Sequence, residues 1–268
     1  MMALPEPTGS FSWTQTRFGA ALVCEALAPF ARHVFTTREW TLGSATGADQ
    51  SAGWQEVASA LDVDMAHLAR VHQVHGASVV VHRRGASATL GDRPDADILV
   101  TDDVSIALAI QTADCVPLLI ADRRTGVVAA AHAGWRGLAA RVPIVTVDAL
   151  TREFGSHPED LVVAVGPAIS AARYEVGADV LARFEEQGFS AEHIGRWFYD
   201  GERPEHWYFD GSQSASDQLA VAGVPLAHIH VARLCTAVHA DVFSSYRRDG
   251  TAAGRMAAAI RRAGDTIE

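Results

Sequence analysis

A chain of 268 residues, 49% of them hydrophobic, can bury a sizeable core without disulfides or metals to staple it. Its formal charge of −10 speaks against generic binding to nucleic acid or to an anionic membrane, since both need a basic face; small molecules are the expected partners. All 22 lysine-plus-arginine positions are arginine and no asparagine occurs, which excludes a Schiff-base lysine and an N-glycan acceptor.

Cys24, Cys115 and Cys235 are too widely spaced for a disulfide framework or a paired-cysteine zinc knuckle. The N-terminus has no basic segment followed by an apolar one, and no run reaches membrane-spanning length. The sequence therefore predicts a cytoplasmic protein.

In chain order, residues 1–12, with Pro5, Pro7 and Gly9, read as a disordered lead-in. A first strand is expected over Trp13–Phe18, a helix over Ala20–Ala31 and a strand over His33–Thr37, leading into Arg38. A small polar loop follows over Ser44–Ser51. Two short helices are expected over Trp54–Leu61 and Met65–Val71, then a valine-rich strand over Ser78–His82. The loop Arg83–Pro94 precedes Asp95-Ala-Asp-Ile-Leu-Val. Two apolar runs, Ile106–Ile110 and Val116–Ala121, are interrupted by Gln111-Thr-Ala-Asp-Cys115.

Val127–Ala131 reads as a strand buried on both faces with His132 at its end. Gly134 permits a tight turn, and a helix is expected from Leu138 to Phe154 with a kink at Pro143. Backbone amides at that helix start, with Arg136, form a candidate anion contact. A strand is expected over Leu161–Val165, helices over Ala178–Gln187 and Ser214–Ala222, a strand over Ile229–Leu234, and a last strand or short helix over Met256–Arg262. No repeat or linker divides the chain, and strands and helices mix without regular alternation. The expected fold is α+β: one domain over 13–268 with mixed β-sheets packed with flanking helices.

His75, Cys115 and His132 each stand where an element ends against a turn, the kind of place where side chains converge on a cleft. Two imidazoles and a thiolate suit zinc, whose catalytic sites use three protein ligands and keep a fourth position open. With 12 histidines in the chain, spacing alone does not select this trio. A cysteine nucleophile with a histidine base uses the same Cys115 and His132, with Asp114 adjacent, and spacing favours neither chemistry. His72 and His75 could share a helix end, but His72 reads more simply as a solvated or capping histidine; His228 and His230 lie on one strand face with no obvious third ligand. Arg38, Arg136 and Arg247 follow strand or turn signals, and their forks suit phosphate or carboxylate. A non-catalytic metal-binding module is the remaining reading, opposed by the number of polar groups gathered around one cleft.

Gln73-Val-His-Gly, Ala113-Asp-Cys-Val-Pro, His132-Ala-Gly-Trp-Arg-Gly, Val165-Gly-Pro with Tyr174-Glu-Val-Gly, and Cys235-Thr followed by Phe243-Ser-Ser-Tyr-Arg-Arg-Asp-Gly strongly resemble one family in their order. It is the laccase-domain or multicopper polyphenol oxidase family, whose members are regarded as purine nucleoside phosphorylases. The resemblance runs from about His33 to the C-terminus. It implies zinc bound by His75, Cys115 and His132, which are then both metal ligands and catalytic residues. It also implies phosphorolysis of adenosine, inosine, guanosine and methylthioadenosine, with adenosine deamination as a further activity. Arg38, Arg136 and Arg247 become the expected substrate-binding residues.

Copper and phenol oxidation, the older family assignment, is the lesser alternative, because one His–Cys–His site cannot hold a multicopper cluster. Another alternative is an amide hydrolase acting on cell-wall peptide precursors, with Cys115 as nucleophile or the metal as Lewis acid. Three departures from the family pattern alter the expected pocket rim. Glu39-Trp-Thr-Leu-Gly-Ser replaces the usual Ser-Leu-Asn-Leu-Gly, Ser214-Ala-Ser-Asp lacks the usual asparagine, and the cysteines after Gly166-Pro167 are absent.

Overall fold

The computed structural model describes residues 4–44, 51–85 and 93–264. Most of the expected loops at Ser44–Ser51 and Arg83–Pro94 lies outside the described residues. Ahead of the first strand, the Trp13 indole N–H donates to the Pro5 carbonyl at 2.7 Å and Leu4 packs against a core cluster.

An antiparallel meander opens the fold: β1 (Phe11–Thr16), β2 (Gly19–Cys24) and β3 (Ala31–Thr36). The helix expected over Ala20–Ala31 is therefore wrong, because Gly19–Cys24 forms the middle strand of the meander. Ala20, Ala21, Leu22 and Cys24 are all buried. A strand covered on both faces gives a continuous apolar run, which hydrophobic period cannot tell from a helix.

Helix α1 (Ser51–Ala60) forms as its pattern predicts and buries Trp54 and Val57. The second expected helix, over Met65–Val71, is a single 3₁₀ turn at Met65–His67, capped by the Asp64 side chain, followed by the two-residue strand β4 (Leu68–Ala69). Five strands follow: β5 (Val79–His82), β6 (Ile98–Thr101), β7 (Ala107–Thr112), β8 (Val116–Asp122) and β9 (Val128–Ala133).

Gly134 leads directly into α2 (Trp135–Ala139), so the helix begins three residues before Leu138. It is interrupted at Arg141, whose φ of 64° reverses the local hand, and α3 (Val142–Phe154) resumes beyond it. Pro143 thus produces no kink. It sits in the first turn of α3, where an amide proton would have no partner within the helix.

After β10 (Leu161–Val165) comes a segment that the sequence pattern only partly reveals: β11 (Glu175–Gly177), α4 (Ala178–Glu186), α5 (Ala191–Trp197), β12 (Phe198–Asp200) and β13 (His206–Phe209). Of these, only α4 is expected from periodicity. The chain then forms α6 (Gly211–Val221), β14 (Ile229–Val231), α7 (Tyr246–Asp249) and β15 (Met256–Arg262). The open choice at Met256–Arg262 resolves as a strand.

One six-stranded sheet has the order β1-β2-β3-β15-β7-β4, a second the order β14-β10-β8-β9-β6-β5, and β11-β13-β12 form a small third sheet. Both large sheets mix parallel and antiparallel pairs. Leu22, Phe35 and Ile110 of the first sheet pack with Leu99, Leu119 and Ala164 of the second, so one core lies between the sheets. The far face of the second sheet packs on α3 and α6 and on the aromatic cluster around Phe184 and Phe209. Helix α1 covers the far face of the first sheet. The result is a single α+β domain in which β8 and β9 are covered on both sides. Each fully buried Leu, Val or Ile contributes ~1.5–3 kcal/mol, which makes the ends of these central strands a firm base for polar side chains. Among the described residues, no helix is long and apolar enough to cross a membrane.

Candidate metal centre

Strands β8 and β9 run antiparallel, with Val116 opposite Ala133 and Pro117 opposite His132. Cys115, just ahead of β8, therefore lies beside the end of β9. His132 is the penultimate residue of β9 and Gly134 follows the strand. His75 arrives from the segment between β4 and β5. One ligand atom from each of His75, Cys115 and His132 lies within 4.8 Å of the others. His132 is buried, Cys115 half-buried and His75 exposed, so the cluster runs from the core to the surface. The two imidazoles meet edge to face, with ring centres 4.8 Å apart, and Cys115 Sγ is 3.9 Å from His75 Nε2.

Left-handed backbone conformations are held by His75 itself, at φ 59°, and by Asp114, next to Cys115, at φ 88°. Such conformations cost ~1–3 kcal/mol for a side-chain-bearing residue and persist only where the surroundings enforce them. At Asp114 the enforcement comes from Thr236, whose hydroxyl donates at 2.6 Å, and from the Arg247 amide, also at 2.6 Å. Around His75 it comes from Gln73, whose side-chain amide brackets Gln111 of β7 with bonds of 2.8 and 2.6 Å. Asp97 adds the amides of His75 and Gly76 at 3.1 and 2.7 Å.

Gly134 is required for space, not for an unusual backbone angle: its φ is −70°. A β-carbon there would lie 2.9 Å from both Cys115 Sγ and His75 Cδ2. The glycine therefore leaves the ligand atoms room to converge.

Burial raises the Cys115 thiol, but the charge of His132 and bonds from both histidines outweigh it and bring the thiol down to about 6. Burial opposes charge on His132 as well, yet Cys115 and Asp97 raise it to about 9. The Asp97 carboxyl is pushed up by burial and held below its usual value by His132 and the amides of Gly76 and Val74. A soft or borderline cation needs a thiolate and neutral imidazoles, so an ion taken up here would displace the proton from His132. The donor set, its convergence and the space left by Gly134 fit a metal ion.

Tyr174 is half-buried beside this cluster. Burial and the Cys115 charge push its hydroxyl well above its ordinary value, while Arg247 and Arg136 oppose them. The Arg247 guanidinium lies 4.9 Å from the centre of the Tyr174 ring, and that of Arg136 stacks on Trp135 at 4.2 Å. Arg38 is anchored differently, donating to the Ala240 carbonyl at 2.6 Å, with its charge felt by Asp249. The short helix α2 offers only five residues, so the expected anion contact at a helix start reduces to the Arg136 side chain.

Sequence reasoning missed Arg255. Burial lowers its guanidinium, while the charges of Cys115, Tyr246 and Asp114 favour it, and its side chain donates to the Gly254 carbonyl at 3.2 Å. Its only sequence signal is a basic residue directly ahead of the apolar strand β15. Asp97, which the sequence does not single out, places its Oδ1 2.8 Å from His132 Nδ1.

Among the described residues the weaker histidine pairs do not form ligand sets. His72 is paired with Asp95 at 2.7 Å on the surface. His228 ends a 3₁₀ turn while His230 lies in β14, with its Nδ1 3.2 Å from Ser10 Oγ. A surface hollow of about 240 Å³, lined by Arg141, Phe189, His193, Trp197 and Gln218 among others, shares no residue with the His–Cys–His cluster.

Residues 42–263 match the family model described as multi-copper polyphenol oxidoreductase laccase. The chain belongs to this family. A purine nucleoside phosphorylase of Deinococcus radiodurans is 40% identical over 215 residues, covering 79% of this chain and 78% of that protein. One from Bacteroides thetaiotaomicron is 39% identical over 164 residues, covering 61% of this chain and 60% of that protein. An adenosine deaminase, RL5, from an unknown prokaryotic organism is 31% identical over 211 residues, covering 77% of this chain and 79% of its own length. The crystal structure of YlmD from Geobacillus stearothermophilus superposes with a TM-score of 0.82 at 29% identity, covering 94% of this chain and 99% of that one.

Proposed function

We propose that the protein is a zinc-dependent purine nucleoside phosphorylase, converting a purine nucleoside and phosphate to the free base and ribose 1-phosphate, with adenosine deamination as a further activity at the same site. The observation that carries this reading is the convergence of His75, Cys115 and His132 within 4.8 Å beside a set of arginines, in a family whose relatives include named purine nucleoside phosphorylases. His75, Cys115 and His132 would hold the ion, which would supply Lewis-acid chemistry and no redox change.

The remaining work falls to the chain itself. In phosphorolysis a phosphate oxygen bonds to ribose C1, the bond from C1 to the purine nitrogen breaks, and a proton must reach the departing base. Phosphate is held by Arg136, Arg247 and Arg255, whose charges act on the groups around Cys115. Guanidinium forks match phosphate oxygens in pairs. The Tyr174 ring fixes Arg247 from one side, and the Asp114 carboxylate fixes its backbone from the other. Arg38 contributes from the turn around Ala240.

Deamination is favoured as the second reading by one specific likeness, that to the adenosine deaminase RL5. Product analysis on adenosine separates the two. Adenine and ribose 1-phosphate formed only with phosphate support phosphorolysis, and ammonia and inosine formed without phosphate support deamination. Protein that carries zinc and leaves adenosine and inosine intact contradicts both.

A further inference from the structure

Asp97 stands at the entry to β6, fully buried, and touches both histidine ligands of the candidate metal centre. Its Oδ1 lies 2.8 Å from His132 Nδ1 and accepts the His75 amide at 3.1 Å. Its Oδ2 accepts the Gly76 amide at 2.7 Å and the Val74 amide at 3.3 Å. The backbone takes part as well: the Asp97 carbonyl accepts the His132 amide at 2.8 Å, and the Asp97 amide donates to Ser78.

We infer that Asp97 is the positioning residue of the centre, a single carboxylate that fixes the ring of His132 and the loop carrying His75 so that both imidazoles face Cys115. This inference rests on the metal reading given above. The reason is geometric. An ionised carboxylate offers two oxygens and about four lone-pair directions, and here four N–H groups from two separate chain segments use them.

At His132, the carboxylate selects which nitrogen serves the metal. A ring whose Nδ1–H points at Asp97 presents Nε2 to the centre. At His75, three consecutive amides bound to one residue enforce a backbone that glycine would adopt freely and histidine resists. Without the carboxylate, the loop loses the acceptors that hold the φ of 59°, and His75 is the ligand most exposed to solvent.

The test compares Asp97→Asn with the wild-type full-length protein by competitive zinc titration against a chromophoric chelator. Circular dichroism and thermal unfolding run alongside to verify folding. Asparagine preserves the shape but replaces one acceptor oxygen with a donor, which would face an N–H group. Folded Asp97→Asn protein is expected to bind zinc ~10–100-fold more weakly, the usual effect of losing a group that orients a metal ligand.

A second measurement does not depend on the variant folding. In zinc-loaded wild-type protein with ¹⁵N-labelled histidine, His132 Nδ1 is expected to carry the proton and Nε2 to show the metal-bound shift. Equal zinc affinity in folded Asp97→Asn protein overturns the inference and leaves the metal reading standing. So does His132 bound through Nδ1. Wild-type protein that takes up no zinc overturns the metal reading and this inference together.

Discussion

Asp114 Oδ2 accepts the backbone N–H of Arg247 at 2.6 Å, so the residue ahead of Cys115 also fixes the arginine that lies over Tyr174. The same carboxylate takes the Thr236 hydroxyl with its other oxygen. Asp114→Asn keeps a residue type that tolerates φ 88° but retains a single acceptor oxygen for two donors. The expected cost is ~1–3 kcal/mol of stability, the penalty for leaving a buried donor unpaired. The phosphate KM should rise while zinc content holds. Denaturant titration, metal analysis and phosphate saturation curves check the three parts.

Gly134→Ala should damage the centre without touching any ligand. The new methyl group would sit 2.9 Å from both Cys115 Sγ and His75 Cδ2, so both ligands, or the backbone between them, must move. Overpacking of this kind costs ~1–3 kcal/mol, and the displacement should weaken zinc binding. Unchanged zinc affinity in folded Gly134→Ala protein would show that the space left by this glycine is not what lets the ligands converge.

Arg255→Ala and Arg247→Ala separate phosphate binding from metal binding. Each removes a guanidinium acting on the groups around Cys115 and no metal ligand. Losing one charge-assisted contact of ~1.5–3 kcal/mol corresponds to a rise of roughly 10–100-fold in the phosphate KM at constant zinc content. Variants that lose zinc, or that saturate with phosphate as the wild type does, would remove these arginines from the phosphate site.

His33 supplies a pH-dependent contribution to stability away from the centre. Its Nδ1 faces the Ala31 carbonyl at 3.0 Å and its Nε2 accepts the Cys24 amide at 2.8 Å, so the fold requires the neutral ring with the proton on Nδ1. Burial lowers its value below 6.5, opposed by the Ala31 carbonyl. The unfolded chain therefore binds this proton more readily than the folded one. The stability from the neutral ring is fully present above about 6.5, the unfolded value, and declines as pH falls from there toward the folded value. Thermal unfolding between pH 5 and pH 8 should show a steeper acid decline in wild type than in His33→Gln; identical slopes would contradict the assignment.

The sequence made the centre more legible than the fold around it. His132 can be read because a polar residue that ends an apolar run is conspicuous, Cys115 because it interrupts two such runs, and the ordered motifs around them add His75 out of twelve histidines. Asp97 escaped because its partners are backbone amides some twenty residues away in sequence and a histidine on another strand. Nothing in the string Asp95-Ala-Asp-Ile shows that the second aspartate turns inward.

Fold errors have the same origin. Gly19–Cys24 reads as helix because a strand covered on both faces has no alternating pattern. β11, β12 and β13 are three or four residues long, shorter than any period can reveal. They exist because Phe184, Phe198 and Phe209 pack together with ring centres 4.7–5.3 Å apart, a tertiary cause without a local signal.

The most direct measurement is inosine phosphorolysis followed against zinc content. Protein stripped with a chelator would be reloaded in steps and compared with His132→Ala and Cys115→Ala. The expected result is hypoxanthine release that requires phosphate, rises in proportion to zinc up to one ion per chain, and is absent from both variants at every zinc level. Release that is independent of zinc, or that survives in either variant, would contradict the claim that these three side chains together hold the metal on which catalysis depends.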